Sequence, residues 1–255
     1  MFKASSVVII ATLLSIGCAH AESTVTLAAD PWCPHTCEVG SDSPGYMIEI
    51  ASRAFATQGY RVIYKNFSWT RVMAEVRDGK LDGAVGALAG EARDLVLPTE
   101  PAGRQVNTFA IRQDDPWQFN GLESLKGRVI AINQDYSYAE DLDAWLAKKP
   151  TQIQALGGEN ALERNLKKLT SKRVDVVIED QAVLSYVVKA QKNQPKIRTN
   201  GTYPGGDLFI AFTATGGSGR HLAQIYDAGI RQLRDSGEFQ RILTKYGVMD
   251  WKTGP

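Results

Sequence analysis

The sequence predicts an α/β protein of two lobes, each a mainly parallel sheet flanked by helices, with two extended segments crossing between them. Three observations carry this. Residues 24–88 alternate strand-like and helix-like hydrophobic periods, the alternation restarts at residue 128, and extended runs near 108–114 and 204–210 link the two units. Alternating strands and helices specify a parallel sheet covered by helices. Two such units joined by two crossing segments leave a cleft that closes about a hinge.

In chain order, Thr24 to Leu27 alternate as a strand, and Gly45-Tyr46 opens a helix with Met47, Ile50, Ala51, Ala54 and Phe55 on one face, ending near Gly59. Tyr60–Tyr64 reads as a strand, Trp69, Val72, Met73 and Val76 mark a helix stopped by Gly79, and Leu81–Leu88 is an apolar strand. Pro98 and Pro101 break the next stretch, and Val106–Arg112 is extended again. In the second unit Arg128–Ile132 is a strand followed by a helix with Tyr138, Leu142, Trp145 and Leu146 as its stripe. Ser137 with Glu140, Asn160 with Glu163, and Asp235 with Glu238 have capping-box spacing at three helix starts. Gln152–Leu156 reads as a short strand and Val174–Ile178 as the clearest buried one, ending in Glu179-Asp180 before a helix over 181–189. The strand Asp207–Phe212 returns to the first unit, where helices over 222–233 and 239–246 complete the cover and Gly247 ends the last.

The chain opens with Lys3, an apolar run from Val7 to Ile16 and Ala19-His20-Ala21, the layout of a cleavable secretory signal. Residues 1–21 are therefore expected to be a signal peptide and the mature protein periplasmic. Cys18, after Leu14-Ser15-Ile16-Gly17, offers a competing lipoprotein reading, although Ser15 stands where such signals want Leu. The expected division is 22–108 plus 208–255 for lobe 1 and 109–207 for lobe 2.

The chain carries 29 basic and 28 acidic residues, which balance once Lys3 leaves. A neutral chain without a basic stripe argues against nucleic acid, and no second apolar segment is long enough to span a bilayer. A small dissolved partner, a monomer and no cofactor are the expectation.

The stretch Ala29–Glu38 combines Asp30, Trp32, two prolines and two cysteines at a strand end. Such residues are poor core material but suit a pocket rim, so this loop is read as lining a ligand site. Cys33 and Cys37 are the two cysteines left after export, and an oxidising compartment favours their pairing. Their spacing is not that of a Cys-x-x-Cys redox motif, and His35 alone does not complete a metal site.

Arg93, just past the third strand, and Asp180, past the strand at 174–178, stand where open parallel sheets hold ligands, beyond the carboxyl ends of strands. A helix start near Ser137 could hold an anion or simply be capped by it.

Over nearly the whole mature chain these residues resemble bacterial extracellular solute-binding proteins of the amino-acid transport type. The resemblance runs through Ala29-Asp30-Pro31-Trp32, Gly45–Ala51, Trp69-Thr70-Arg71, Gly79–Gly83, Leu125–Ile130, Val174–Asp180 and the final helix before Gly247. It implies the type II periplasmic binding protein fold and delivery of a solute to an inner-membrane ABC permease. It further implies that Arg93 takes a ligand carboxylate and Asp180 its ammonium, that Asp30, Trp32 and Trp69 shape the pocket, and that Tyr136 with Ser137 lines the second lobe. Two features depart from the family. Gly86–Gly90 lacks the usual hydroxyl before the arginine, and the Cys33-x-x-x-Cys37 insertion is unusual.

Capture of a small polar solute, an amino acid or related amino-carboxylate, is the leading function. An enzyme on the same scaffold, dehydratase-like, is the alternative, and it lacks a histidine at a strand end, since His35 lies in the loop and His221 at a helix start. A sensor or accessory lobe is the third reading.

Overall fold

In the computed structural model, which describes residues 23–158, 160–191 and 196–252, β1 (Ser23–Ala29) runs between β2 (Tyr60–Asn66) and β3 (Gly83–Leu88), parallel to both. The expected signal peptide and Cys18 lie outside the described residues. In the second unit β5 (Ile130–Asn133) runs parallel to β6 (Ile153–Leu156) and β7 (Val176–Asp180). Between the units lie β4 (Gly103–Arg112) and β8 (Ile197–Phe212), antiparallel to each other and to β7 and β3 respectively. Among the described residues the strands form one sheet in the order β2-β1-β3-β8-β4-β7-β5-β6.

The long strands change cores along their length, which divides the molecule into two lobes. Ala102, directly before β4, and Leu208 of β8 belong to the core built by α1 (Tyr46–Ala56), α6 (Ser218–Asp235) and α7 (Glu238–Tyr246), around Phe55, Tyr226 and Phe239. Phe109 and, at its edge, Tyr203 pack instead with Leu142 and Ile178 under α3 (Glu140–Ala147). A further cluster on each lobe covers the opposite sheet face, around α2 (Trp69–Arg77) and around α4 (Ala161–Thr170) with α5 (Gln181–Ala190). No helix among the described residues is long and apolar enough to cross a membrane.

β8 is much longer than the strand read at 207–212. Its first half, Ile197–Pro204, pairs with β4 alone and carries Arg198, Thr199, Asn200 and Thr202, so it lacks the apolar run that marks a buried strand. Gly205 is the extra residue of a bulge there, and a Cβ on it would meet Gln105 at 2.6 to 2.8 Å.

None of the three expected capping boxes forms. Ser137 donates instead to Asp143 at 2.5 Å, and the residue before α3 is Ala139. Asn160 and Gly237 precede α4 and α7 in left-handed conformations without side-chain caps. Among the described residues, the helix start with a side-chain cap is that of α5, where Asp180 accepts from the Ala182 and Val183 amides. Gly247 ends α7 at φ 67°, as read from the sequence.

Candidate functional site

The loop from Asp30 to Cys37 leaves the carboxyl end of β1 and folds on itself. Trp32 and Thr36 exchange backbone bonds, Thr36 Oγ1 donates to the Asp30 carbonyl at 2.9 Å, and a disulfide joins Cys33 to Cys37. The loop then docks on the start of α1. Tyr46 and Met47 amides donate to the Pro34 and His35 carbonyls at 3.0 and 3.1 Å, satisfying helix donors that Gly45 has no side chain to cap. Glycine is required there: a Cβ on Gly45, at φ 100°, would sit 2.4 Å from the His35 carbonyl oxygen.

This docking aims three side chains at the second lobe. The Trp32 indole donates to Glu179 Oε1 at 3.0 Å, His35 Nε2 meets Asp180 Oδ1 at 2.9 Å, and Tyr136 donates to the Asp30 carboxylate. Behind them, His35 Nδ1 lies 2.8 Å from the Tyr46 hydroxyl, and Asn133 donates to Glu179 Oε2 at 2.8 Å. Glu179 and Asp180 are the last residues of β7, facing Thr108 and Asn107 of β4, so both acids lie within the strand and at the middle of the molecule.

Burial shapes the acidity of this seam. It raises Glu179 to about 8, an effect that the neighbouring Asp180 charge adds to and that bonds from Trp32, the Asp180 amide and Asn133 offset. It also raises Asp30 to about 6 despite the Tyr136 bond. For Asp180 burial acts in the same direction but is outweighed by the charge and hydrogen bond of His35 and by the Val106 and Val183 amides, so its carboxyl falls below the usual range.

Beside the seam opens a cleft of ≈ 1210 Å³ lined by both lobes, with Arg93, Tyr136, Ser137 and Glu140 on its walls. Arg93 reaches across it to Glu140, Nη2 to Oε1 2.6 Å, and both side chains are mostly exposed. The cleft floor carries Glu91, which accepts from the Trp69 indole at 3.1 Å and the Leu88 amide at 2.9 Å. Burial raises the Glu91 carboxyl.

The residues singled out from the sequence therefore divide. Arg93, Tyr136 and Ser137 line the cleft; Asp30, Trp32 and Asp180 form the seam; Trp69 is core and touches the cleft only through Glu91. Asp180 does not face the cleft, because His35 and the Val106, Ala182 and Val183 amides take up its carboxylate. His35, Glu179, Glu140 and Glu91 are the additions. Glu179 carried a signal in the sequence, an acid closing an apolar strand run, whereas His35 carried none beyond its neighbours.

Two lobes on parallel sheets, joined by a β4–β8 crossover with a cleft between them, define a type II periplasmic binding protein fold. The chain belongs to the bacterial extracellular solute-binding proteins, family 3, whose model matches residues 29–249. No curated protein sequence matches the chain. Among solved structures, an ancestral arginine-binding protein bound to arginine superimposes with a TM-score of 0.74 at 17% identity, covering 89% of this chain and 99% of that one. A histidine kinase sensor domain with similarity to periplasmic binding proteins gives 0.74 at 17% identity, covering 89% and 97%. An ancestral amino acid-binding protein that is a precursor of cyclohexadienyl dehydratase gives 0.68 at 17% identity, covering 88% and 95%. Likenesses at this identity speak to the fold.

Proposed function

We propose that the protein is exported through a cleavable signal peptide and works as a periplasmic solute-binding protein. It takes a small polar solute, an amino acid or related amino-carboxylate, into the inter-lobe cleft and hands it to an inner-membrane ABC-type permease. The lobes, divided near residues 108 and 208, move about the β4–β8 ribbon. The observation that carries the reading is the Arg93–Glu140 pair, two complementary charges facing each other across a cleft from different lobes. An amino-carboxylate entering between them satisfies both: the guanidinium fork takes the carboxylate and Glu140 the ammonium. Tyr136 and Ser137 line the same wall. The ammonium seat is thus moved from Asp180, which is occupied, to Glu140. The family and the amino-acid-binding structures of the same fold support this class of solute.

The test is calorimetry of wild type and Arg93→Ala against a panel of amino acids and simple carboxylates, after denaturation and refolding to remove co-purified solute. A charge-assisted hydrogen bond contributes about 1.5 to 3 kcal/mol, so the variant should bind about 10- to 150-fold more weakly. Equal affinity in the two proteins sinks the Arg93 assignment. Steady chemical conversion of the bound compound would replace the carrier reading with an enzyme.

A further inference from the structure

We infer that the stapled loop Asp30–Cys37 is a built-in latch: it occupies the strand-end seat between the lobes and holds them together through protein atoms alone. β1 and β7 end at the same seam, and on the β7 side Asp180 is the charge an external cation would seek, with Glu179 beside it. Both already have partners from the first lobe. His35 stands at Asp180 and the Trp32 indole at Glu179, while Tyr136 of the second lobe donates back to Asp30.

The partners are held, not merely near. Tyr46 fixes His35 from behind, Gly45 lets the loop carbonyls reach the α1 amides, and the Cys33–Cys37 bridge closes the turn that carries His35 and begins next to Trp32. Trp32 and His35 lie against each other with centroids 4.3 Å apart. Trp32 packs against the first-lobe core and also against the second-lobe cluster around Leu166 and Val177. His35 is 2% exposed, Glu179 and Asp180 1% each, so water does not compete for these contacts. The Thr70–Asp135 and Arg93–Glu140 contacts between the lobes are exposed and contribute little by comparison.

A consequence follows for closure. Where lobes meet only through a solute, closing waits for it; where the seam is bonded internally, the compact form is favoured without one, and a ligand shifts the equilibrium only by its differential affinity. The solute is then left the cleft beside the latch, a placement that rests on the function proposed above, whereas the latch itself does not.

Small-angle scattering on refolded full-length mature protein, with no added solute, tests this. The variant is the double substitution Trp32→Phe with His35→Phe, which keeps an aromatic ring at each position and removes both nitrogen donors. The wild type should have the radius of gyration calculated from this structure, and the double variant a larger one. Glu179→Gln serves as a second variant, since an amide oxygen still accepts from Trp32, and it should stay compact. Circular dichroism identifies a variant that has lost its fold; if the double variant has, Trp32→Phe alone is scattered, and it should expand in the same direction. Wild type and folded variants of equal radius, whether all compact or all expanded, overturn the latch. Because no solute enters the measurement, a chain that binds nothing in the calorimetric panel can still pass this test, and a good binder can fail it.

Discussion

The seam and the cleft mouth both join the lobes through an acid and a nitrogen base, yet they differ in nearly every physical respect. His35–Asp180 is almost fully buried, its partners are fixed by a helix start and a strand, and each residue has a further bond, His35 through Nδ1 to Tyr46 and Asp180 from the Ala182 amide. Arg93–Glu140 is 68% and 77% exposed on two flexible side chains. Desolvated pairs are expensive to break because the survivor is left buried and unpaired, while exposed pairs exchange partners with water at little cost. The fixed pair is therefore suited to holding the lobes and the exposed pair to exchanging its partner for a solute.

The sharpest way to break this contrast is Asp180→Ala. It strands His35, frees the Val106 amide and removes the cap of α5, and should cost about 3 to 5 kcal/mol of unfolding free energy. Urea denaturation measures it. A loss below about 1 kcal/mol, the range of exposed pairs, would erase the distinction.

Acidity should sharpen it next. Burial pushes Glu179 up to about 8 in the folded chain from an ordinary 4.5, and Asp30 up to about 6 from 3.8. Groups with raised folded values favour the native state most when protonated. Their contribution is complete below the unfolded values and is lost as pH rises, through about 6 for Asp30 and about 8 for Glu179. Asp180, lowered, acts oppositely, and its contribution disappears only as pH falls below the ordinary carboxylate range. The groups facing Glu179 are Trp32, Asn133, Asp180 and Tyr138, with His35 and Tyr136 next to them. Urea midpoints should fall from pH 5 to 8, and Glu179→Gln should flatten that slope. An unchanged slope in the variant would remove Glu179 from the account.

The smallest effect is expected at the mouth. Arg93→Ala should change unfolding free energy by less than about 1 kcal/mol, because both partners already face water. Thermal unfolding would detect a larger loss and show the mouth to be a second latch.

How much of this was legible varies with the range of the interaction. β7 was plain as Val176-Val177-Ile178, and α1 as its apolar face, because both patterns repeat within one element. The first half of β8 was not, since its polar residues are paired by β4, a strand far away in the chain, from Arg112 opposite Ile197 to Val106 opposite Pro204. The capping boxes failed for a related reason. The spacing of Ser137 and Glu140 is local, but Glu140 has a better partner in Arg93 and Ser137 in Asp143. Loop Asp30–Cys37 was legible as unusual, and Asp30, Trp32 and the paired cysteines were read from it; that His35 and Glu179 complete its contacts depends on β1 and β7 ending at one place.

The class of fold and the order of its elements are written in local patterns of the chain, because hydrophobic period, glycine stops and turn residues act over short stretches. The same patterns put an arginine and several acids at strand ends. Which of these groups meet depends on the folded chain. Asp180 and Arg93 look alike along the chain, each a charge just after an apolar run, but one lies at a seam from which water is excluded and the other at an open mouth. That difference is set by the β4–β8 crossover and the docked loop, and dielectric, partner and accessibility all follow from it.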